Sequence, residues 1–82
     1  MRLDKYLKVS RIIKRRTVAN DACDASHVSV NGRVVKASYD VKVGDEISVS
    51  FGARTVRIRV LSVKETVKKE EATELYEIIS QE

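Results

Sequence analysis

The stretch TVANDACDASHVSVNGRVVK, Thr17–Lys36, changes period halfway along, and that change decides the fold class. Its first half is helical. Val18, Ala22 and Ala25 stand at i, i+4 and i+7, and Thr17 suits an N-cap because its hydroxyl can accept a bond from an unpaired first-turn N–H. The spacing predicts a helix over about residues 17–26. Its small residues, Ala19, Ala22 and Ala25, permit close approach of a neighbouring element. The second half alternates. His27-Val28-Ser29-Val30 reads as a strand, Asn31-Gly32 as a two-residue hairpin turn whose members tolerate positive φ, and Arg33–Lys36 as the return strand. Asn31 is therefore read as a turn residue and not as a contact.

Upstream, Leu3, Tyr6, Leu7 and Ser10 fall at i, i+3, i+4 and i+7, which predicts a short amphipathic helix over residues 3–9. Tyr6 is on its core stripe. Residues 10–16, SRIIKRR, form a connector with Ile12 and Ile13 turned inward. Downstream, Val43–Glu46 reads as a turn, and Ile47, Val49 and Phe51 alternate with serines as a half-buried strand. Gly52-Ala53 turns the chain again, and Val56, Ile58 and Val60 alternate with Thr55, Arg57 and Arg59. Val28, Val30, Ile47, Val49 and Phe51 are expected to face the helices. After a charged connector over 64–71, Ala72, Leu75, Tyr76 and Ile79 match helical spacing and favour a short closing helix; a strand from Tyr76 stays open, because periodicity does not separate the two in so short a run. The expected fold is α+β: two short N-terminal helices packed on a small, mostly antiparallel sheet. One domain covers residues 1–63, with 64–82 a C-terminal extension packed on it.

Composition narrows the function. The chain has 82 residues, no proline, one cysteine and one histidine, and a net charge of +4. Residues 1–16 carry Arg2, Lys5, Lys8, Arg11, Lys14, Arg15 and Arg16 against Asp4 alone, a local net of +6, and the remainder is slightly acidic. Positive charge gathered on one folded surface attracts polyanions. Arginine can clamp a phosphate bidentately and lysine adds a compact charge. A helix starting at Thr17 would add free backbone N–H groups beside Arg16. The candidate RNA-binding residues are Arg2, Lys5, Arg11, Lys14, Arg15, Arg16, Thr17 and Asn20.

Enzyme and metal chemistry find no support. The three glycines lie at turns, not in a phosphate loop. Cys23 and His27 alone fall short of a zinc set, and Cys23 is read as a packing residue. Nothing marks a nucleophile turn, and Glu70-Glu71 lies in a charged stretch. No cofactor is expected, nor a membrane span, and the lone cysteine leaves no internal disulfide; a cytoplasmic monomer is the expectation.

The run Arg2-Leu3-Asp4-Lys5-Tyr6-Leu7, then Ser10-Arg11, a second helix and Val28-Ser29-Val30-Asn31-Gly32 resembles the S4 RNA-binding domain, whose S4-like (alpha-L) fold matches the elements above. Arg2 and Arg16 match strongly marked positions of its motif. One departure is visible. The family often has Gly-Arg ahead of the strand, and this chain has Ser26-His27, so the second helix is expected to end differently and a basic contact at position 27 to be weakened. Within the family, Met1–Arg11, Ile13–Thr17, Lys36-Ala37-Ser38, Val43–Glu46 and Lys68–Ala72 are similar, nearly end to end, to small bacterial proteins of ribosome-associated quality control, related to the heat-shock S4 protein of stalled large subunits. The resemblance implies contact with large-subunit rRNA and tRNA on the split large ribosomal subunit. It also implies stabilisation of P-site peptidyl-tRNA while a partner protein factor directs alanine tailing. Two other readings are a ribosome-assembly or rRNA-maturation factor, and a protein-interaction module with Arg57 and Arg59 facing an acidic partner.

Overall fold

A computed structural model describes residues 1–64 and 68–81. Leu3–Val9 forms helix α1 and Arg16–Asp24 helix α2. Strands β1 (Val28–Val30), β2 (Arg33–Val34), β3 (Glu46–Phe51), β4 (Arg54–Val60) and β5 (Tyr76–Gln81) follow, with a 3-10 helix over Lys69–Leu75 before the last. The five strands make one sheet in the order β2-β1-β3-β4-β5, and every neighbouring pair is antiparallel. Register follows from the turns. Asn31 (φ 53°) and Gly32 (φ 81°) both take positive φ, as a two-residue hairpin requires, and set Val30 against Arg33. The Asn31 side chain accepts from the Glu46 N–H at 3.0 Å and donates to Asp45 at 3.1 Å, which ties this turn to the start of β3.

One face of the sheet carries the helices. Leu3, Tyr6 and Leu7 of α1 and Ala19 and Cys23 of α2 are buried against Val28, Val30, Ile47, Val49, Ile58 and Val60. Each buried aliphatic side chain contributes roughly 1.5–3 kcal/mol. Ser10 is buried with its hydroxyl donating to the Leu7 carbonyl, and Ile13 closes the connector. The Tyr6 hydroxyl donates to the Leu75 carbonyl at 2.7 Å, so the first helix is fastened to the last segment of the chain. Burial raises the pKa of that phenol, with the Tyr76 phenol adding to the shift, and it stays protonated.

Six expectations need correction. The face of α2 is turned by one residue: Val18 is exposed and Ala25 is exposed, and the buried stripe is Ala19, Ala22 and Cys23, because α1 packs closely on this side and leaves room only for small side chains. Thr17 is not the N-cap. The helix begins at Arg16 behind an extended Arg15 (φ −125°, ψ 136°), with no side-chain cap. Phe51 is 41% exposed, because β3 runs beyond the area the helices cover. The closing helix over 72–79 is replaced by a 3-10 helix ending at Leu75 and then β5, whose backbone pairs with β4 through a bulge at Arg57/Ile58. The helix α2 also ends with a left-handed residue despite lacking glycine. Ser26 takes φ 62°, its N–H donates to the Cys23 carbonyl, and the His27 N–H donates to the Ala22 carbonyl, the paired bonds of a Schellman ending. The expected return strand is short, covering Arg33–Val34 only. Part of the connector expected over 64–71 lies outside the described residues.

Candidate nucleic-acid interface

Asp4 is the one acidic residue of the basic segment, and only 3% of its surface is exposed. A carboxylate so placed requires compensating donors. Four converge on it. Arg2 donates from Nε at 3.2 Å and from Nη2 at 3.3 Å, Arg16 from Nη2 at 3.5 Å, Asn20 from Nδ2 at 3.4 Å, and the Lys5 backbone N–H at 2.8 Å. Burial would raise the Asp4 pKa. The side-chain bonds from Arg2, Asn20 and Arg16 and the Lys5 N–H together outweigh it and hold the carboxyl below its ordinary range.

Local structure explains the convergence. Arg2 is the extended residue before α1 (φ −63°, ψ 144°), and Arg16 is the first residue of α2. The start of α1 is fixed from outside: the Leu3 N–H donates to the Tyr39 carbonyl at 2.8 Å and the Asp4 N–H to the Ala37 carbonyl at 3.1 Å. Two helix starts therefore meet at one carboxylate. The two guanidinium groups keep 51% and 47% of their side-chain surface in water, so each has faces left for another ligand. Asp4, Arg16, Thr17, Asn20 and Asp21 line a shallow hollow beside them. The first turn of α2 opens there without a side-chain cap, and its backbone N–H groups favour an anion.

Of the eight candidate residues, Arg2, Arg16 and Asn20 come together at Asp4, Lys5 joins through its backbone, and Thr17 stands exposed on the rim of the hollow. Arg11, Lys14 and Arg15 are exposed on the connector beyond the other end of α1 and take no part in the Asp4 cluster. Asp4 itself was not among the candidates. Its sequence signals are its place in the Arg2–Leu7 run and its being a solitary acid amid seven bases, and its role depends on contacts 12 and 16 residues away. On the far face of the sheet, Arg57 pairs with Glu46, and Arg59 with Glu46 and, at 2.7 Å, with Glu77, so these cations are largely answered within the fold. Burial, with the charges of Asp4 and Asp24, pushes the Cys23 thiol up to about 11, which leaves no thiolate near neutrality. Among the described residues no group of three or more His, Cys, Asp or Glu could hold a metal, and no helix is long and apolar enough to cross a membrane.

The sequence pattern of the S4 domain matches residues 1–47, the span containing both helices, the Asp4 cluster and the hairpin. The chain belongs to the S4-domain family. Relatives of this S4-domain protein extend the match to its whole length. It is 54% identical over 82 residues to an RQC P-site tRNA stabilizing factor of Halalkalibacterium halodurans, covering all of this chain and 93% of the relative. It is also 54% identical to the protein so named in Bacillus subtilis, covering all of this chain and 95% of that one. Heat shock protein 15 of Vibrio cholerae, solved as a trimer, superposes with a TM-score of 0.90 at 28% identity, covering 98% of this chain and 82% of that one.

Proposed function

We propose that this S4-domain protein is a non-enzymatic RNA-binding factor of ribosome-associated quality control. It binds large-subunit rRNA and tRNA on the split large subunit and stabilises P-site peptidyl-tRNA during alanine tailing of stalled chains. The observation that carries this reading is the Asp4 cluster: two half-exposed arginines from two helix starts, oriented by one buried carboxylate. Both guanidinium groups are held before any ligand arrives, so less side-chain entropy is lost when a phosphate docks. The surrounding charge of residues 1–16 supplies long-range attraction. The name these relatives carry, with about half of all positions identical over the full chain, supports the tRNA and quality-control parts of the reading.

A large subunit without its small subunit lacks the usual contacts on the tRNA, and a small basic wedge between two polyanions lowers their mutual repulsion. Crosslinking in cells followed by sequencing of the attached RNA tests this directly. Reads from large-subunit rRNA and tRNA, lost in Arg2→Ala and Arg16→Ala but kept in Arg59→Ala, together with shorter alanine tails in the first two, are the expected outcome. Reads confined to precursor rRNA would favour an assembly factor, and binding that survives ribonuclease would favour a protein-interaction module.

A further inference from the structure

The sheet order leaves β2 and β5 as its two edges, and they are unlike. β2 is two residues long. β5 runs for six, Tyr76–Gln81, pairs with β4 on one side and has no described strand on the other. An unpaired strand edge presents a row of backbone N–H and C=O groups to any chain that can lie alongside it, and native proteins blunt such an edge with lysine, proline or a bulge. The β5 sequence, YEIISQ, has no lysine and no proline. Its one charged residue, Glu77, is taken up by Arg59 at 2.7 Å on the far face. A bulge is present, since Ile58 opposes Ile78 while Arg57 opposes Ser80, but the residue it adds to β5 is Ile79, an exposed hydrophobe.

The side chains show where the cover ends. Ile47, Ile58 and Ile78 stand opposite one another across β3, β4 and β5, on the face that carries the helices, and are 0%, 1% and 58% exposed. The helices therefore close over β3 and β4 in this row and leave β5 open. Val56, in the next row, is half-buried, and Phe51 beyond it is exposed. A bare backbone edge and uncovered apolar side chains thus meet at one strand. Charge selects what can occupy it. Residues 70–82 hold Glu70, Glu71, Glu74, Glu77 and Glu82 and no lysine or arginine, the reverse of the balance in residues 1–16. This end repels RNA. A second copy would bring the same glutamates to the same seam. A basic polypeptide is attracted by them.

We propose that the outer edge of β5 is a docking site for an extended, lysine- or arginine-bearing segment of a partner protein, which adds to the five-stranded sheet as a further strand. Main-chain bonds along the edge supply the attraction. Alternate side chains of the added strand point to opposite faces, so apolar ones can pack beside Ile78 while basic ones answer the glutamates. The site shares no residue with the Asp4 cluster and does not depend on what that cluster binds.

The probe is an eight-residue peptide alternating lysine and valine, blocked at both ends. It is titrated into the isotope-labelled full chain at roughly 0.1 M salt, where charge complementarity still counts, and followed amide by amide by NMR. The amides of Tyr76–Gln81 should shift and exchange with solvent about fivefold more slowly, and those of Arg2, Arg16 and Asn20 should stay in place. A peptide alternating glutamate and valine should bind about tenfold more weakly or worse, and so should the lysine peptide N-methylated at every residue, which has no backbone donors. Ile78→Thr/Ile79→Thr keeps two β-branched residues and removes the apolar surface. It should melt like wild type, because both side chains are exposed, and bind the lysine peptide about tenfold more weakly. Glu70→Gln/Glu71→Gln/Glu74→Gln should lose most of the preference for lysine over glutamate. If the isoleucine double variant melts lower, the N-methylated peptide against wild type still decides. No shift in β5 at millimolar peptide would overturn the proposal, as would equal binding of the lysine and glutamate peptides or of the N-methylated one. Two further results would name a different occupant and overturn it as well: sedimentation of a dimer that the double variant abolishes, which means a second copy, and a β5 shift on adding a short RNA hairpin, which means RNA.

Discussion

Replacing Asp4 with asparagine keeps shape and removes one charge. In the folded protein Asp4 Oδ2 faces Arg2 Nη2, Asn20 Nδ2 and Arg16 Nε at 3.3, 3.4 and 3.4 Å. If the amide oxygen stays with the Lys5 N–H, the new NH2 meets three donors. Hydrogen bonds to charged groups contribute about 1.5–3 kcal/mol each, but these are long and the guanidinium groups are half in water, so each is taken at well under 1 kcal/mol. An unmatched buried amide adds about 1–2 kcal/mol. The expected loss is roughly 2–3 kcal/mol, or a melting temperature lower by about 10–20 °C for a domain of this length. The pH dependence has a definite sign. The folded carboxyl has a lowered pKa, so the unfolded chain takes up the proton first as pH falls. The stabilisation is therefore complete above the ordinary value of 3.8 and is lost as pH drops through the lower folded value. Thermal melts by circular dichroism should show a constant gap between wild type and Asp4→Asn from about pH 8 to 5 that closes below about pH 4. Asp40, also shifted down by its bond to the N-terminal amine, is present in both proteins and cancels in the comparison. Equal melting at pH 7, or a gap unchanged near pH 2.5, would refute the reasoning. The variant should also bind RNA more weakly although it is more positive, because its arginines lose their anchor.

Gly32→Val should lower the melting temperature, since a β-branched residue resists the φ of 81° that the hairpin needs; an unchanged melt would count against this turn. Tyr6→Phe removes the bond to the Leu75 carbonyl, which still accepts from the Leu61 N–H at 2.8 Å, so the cost in denaturant unfolding should be that of one hydrogen bond, about 0.5–1.5 kcal/mol, and RNA affinity should not change. A variant as stable as wild type would show that this bond does not help fasten the first helix to the last segment.

Much of the fold is legible because it depends on local signals. Leu3, Tyr6 and Leu7 give a strong stripe of large side chains, and Asn31-Gly32 names its own turn. The errors fall where local signals are weak. The face of α2 is built from alanine and cysteine, so Val18 dominates the apparent stripe although close packing against α1 excludes it from the core. Tyr76–Ile79 fits both helical and strand periods, and only the open edge of β4 selects the strand. Phe51 continues the alternation of β3 but overruns the helices. At the site, Arg2 and Arg16 are readable as bases beside helix starts. Their orientation is not, because it is set by a buried acid whose partners are brought together only in three dimensions.

The central claim is that residues 1–16 form an RNA interface organised around Arg2 and Arg16, and a salt titration of binding to one RNA measures it most directly. If about six phosphates are neutralised, wild type should give a log–log slope near roughly −4 to −5 from counterion release. The Arg2→Ala/Arg16→Ala double variant should bind more weakly with a slope shallower by about 1.4–1.8, while Arg59→Ala, whose charge is already paired with Glu77, should run parallel to wild type. A wild-type slope near zero, or a double variant that tracks wild type across the titration, would contradict the account.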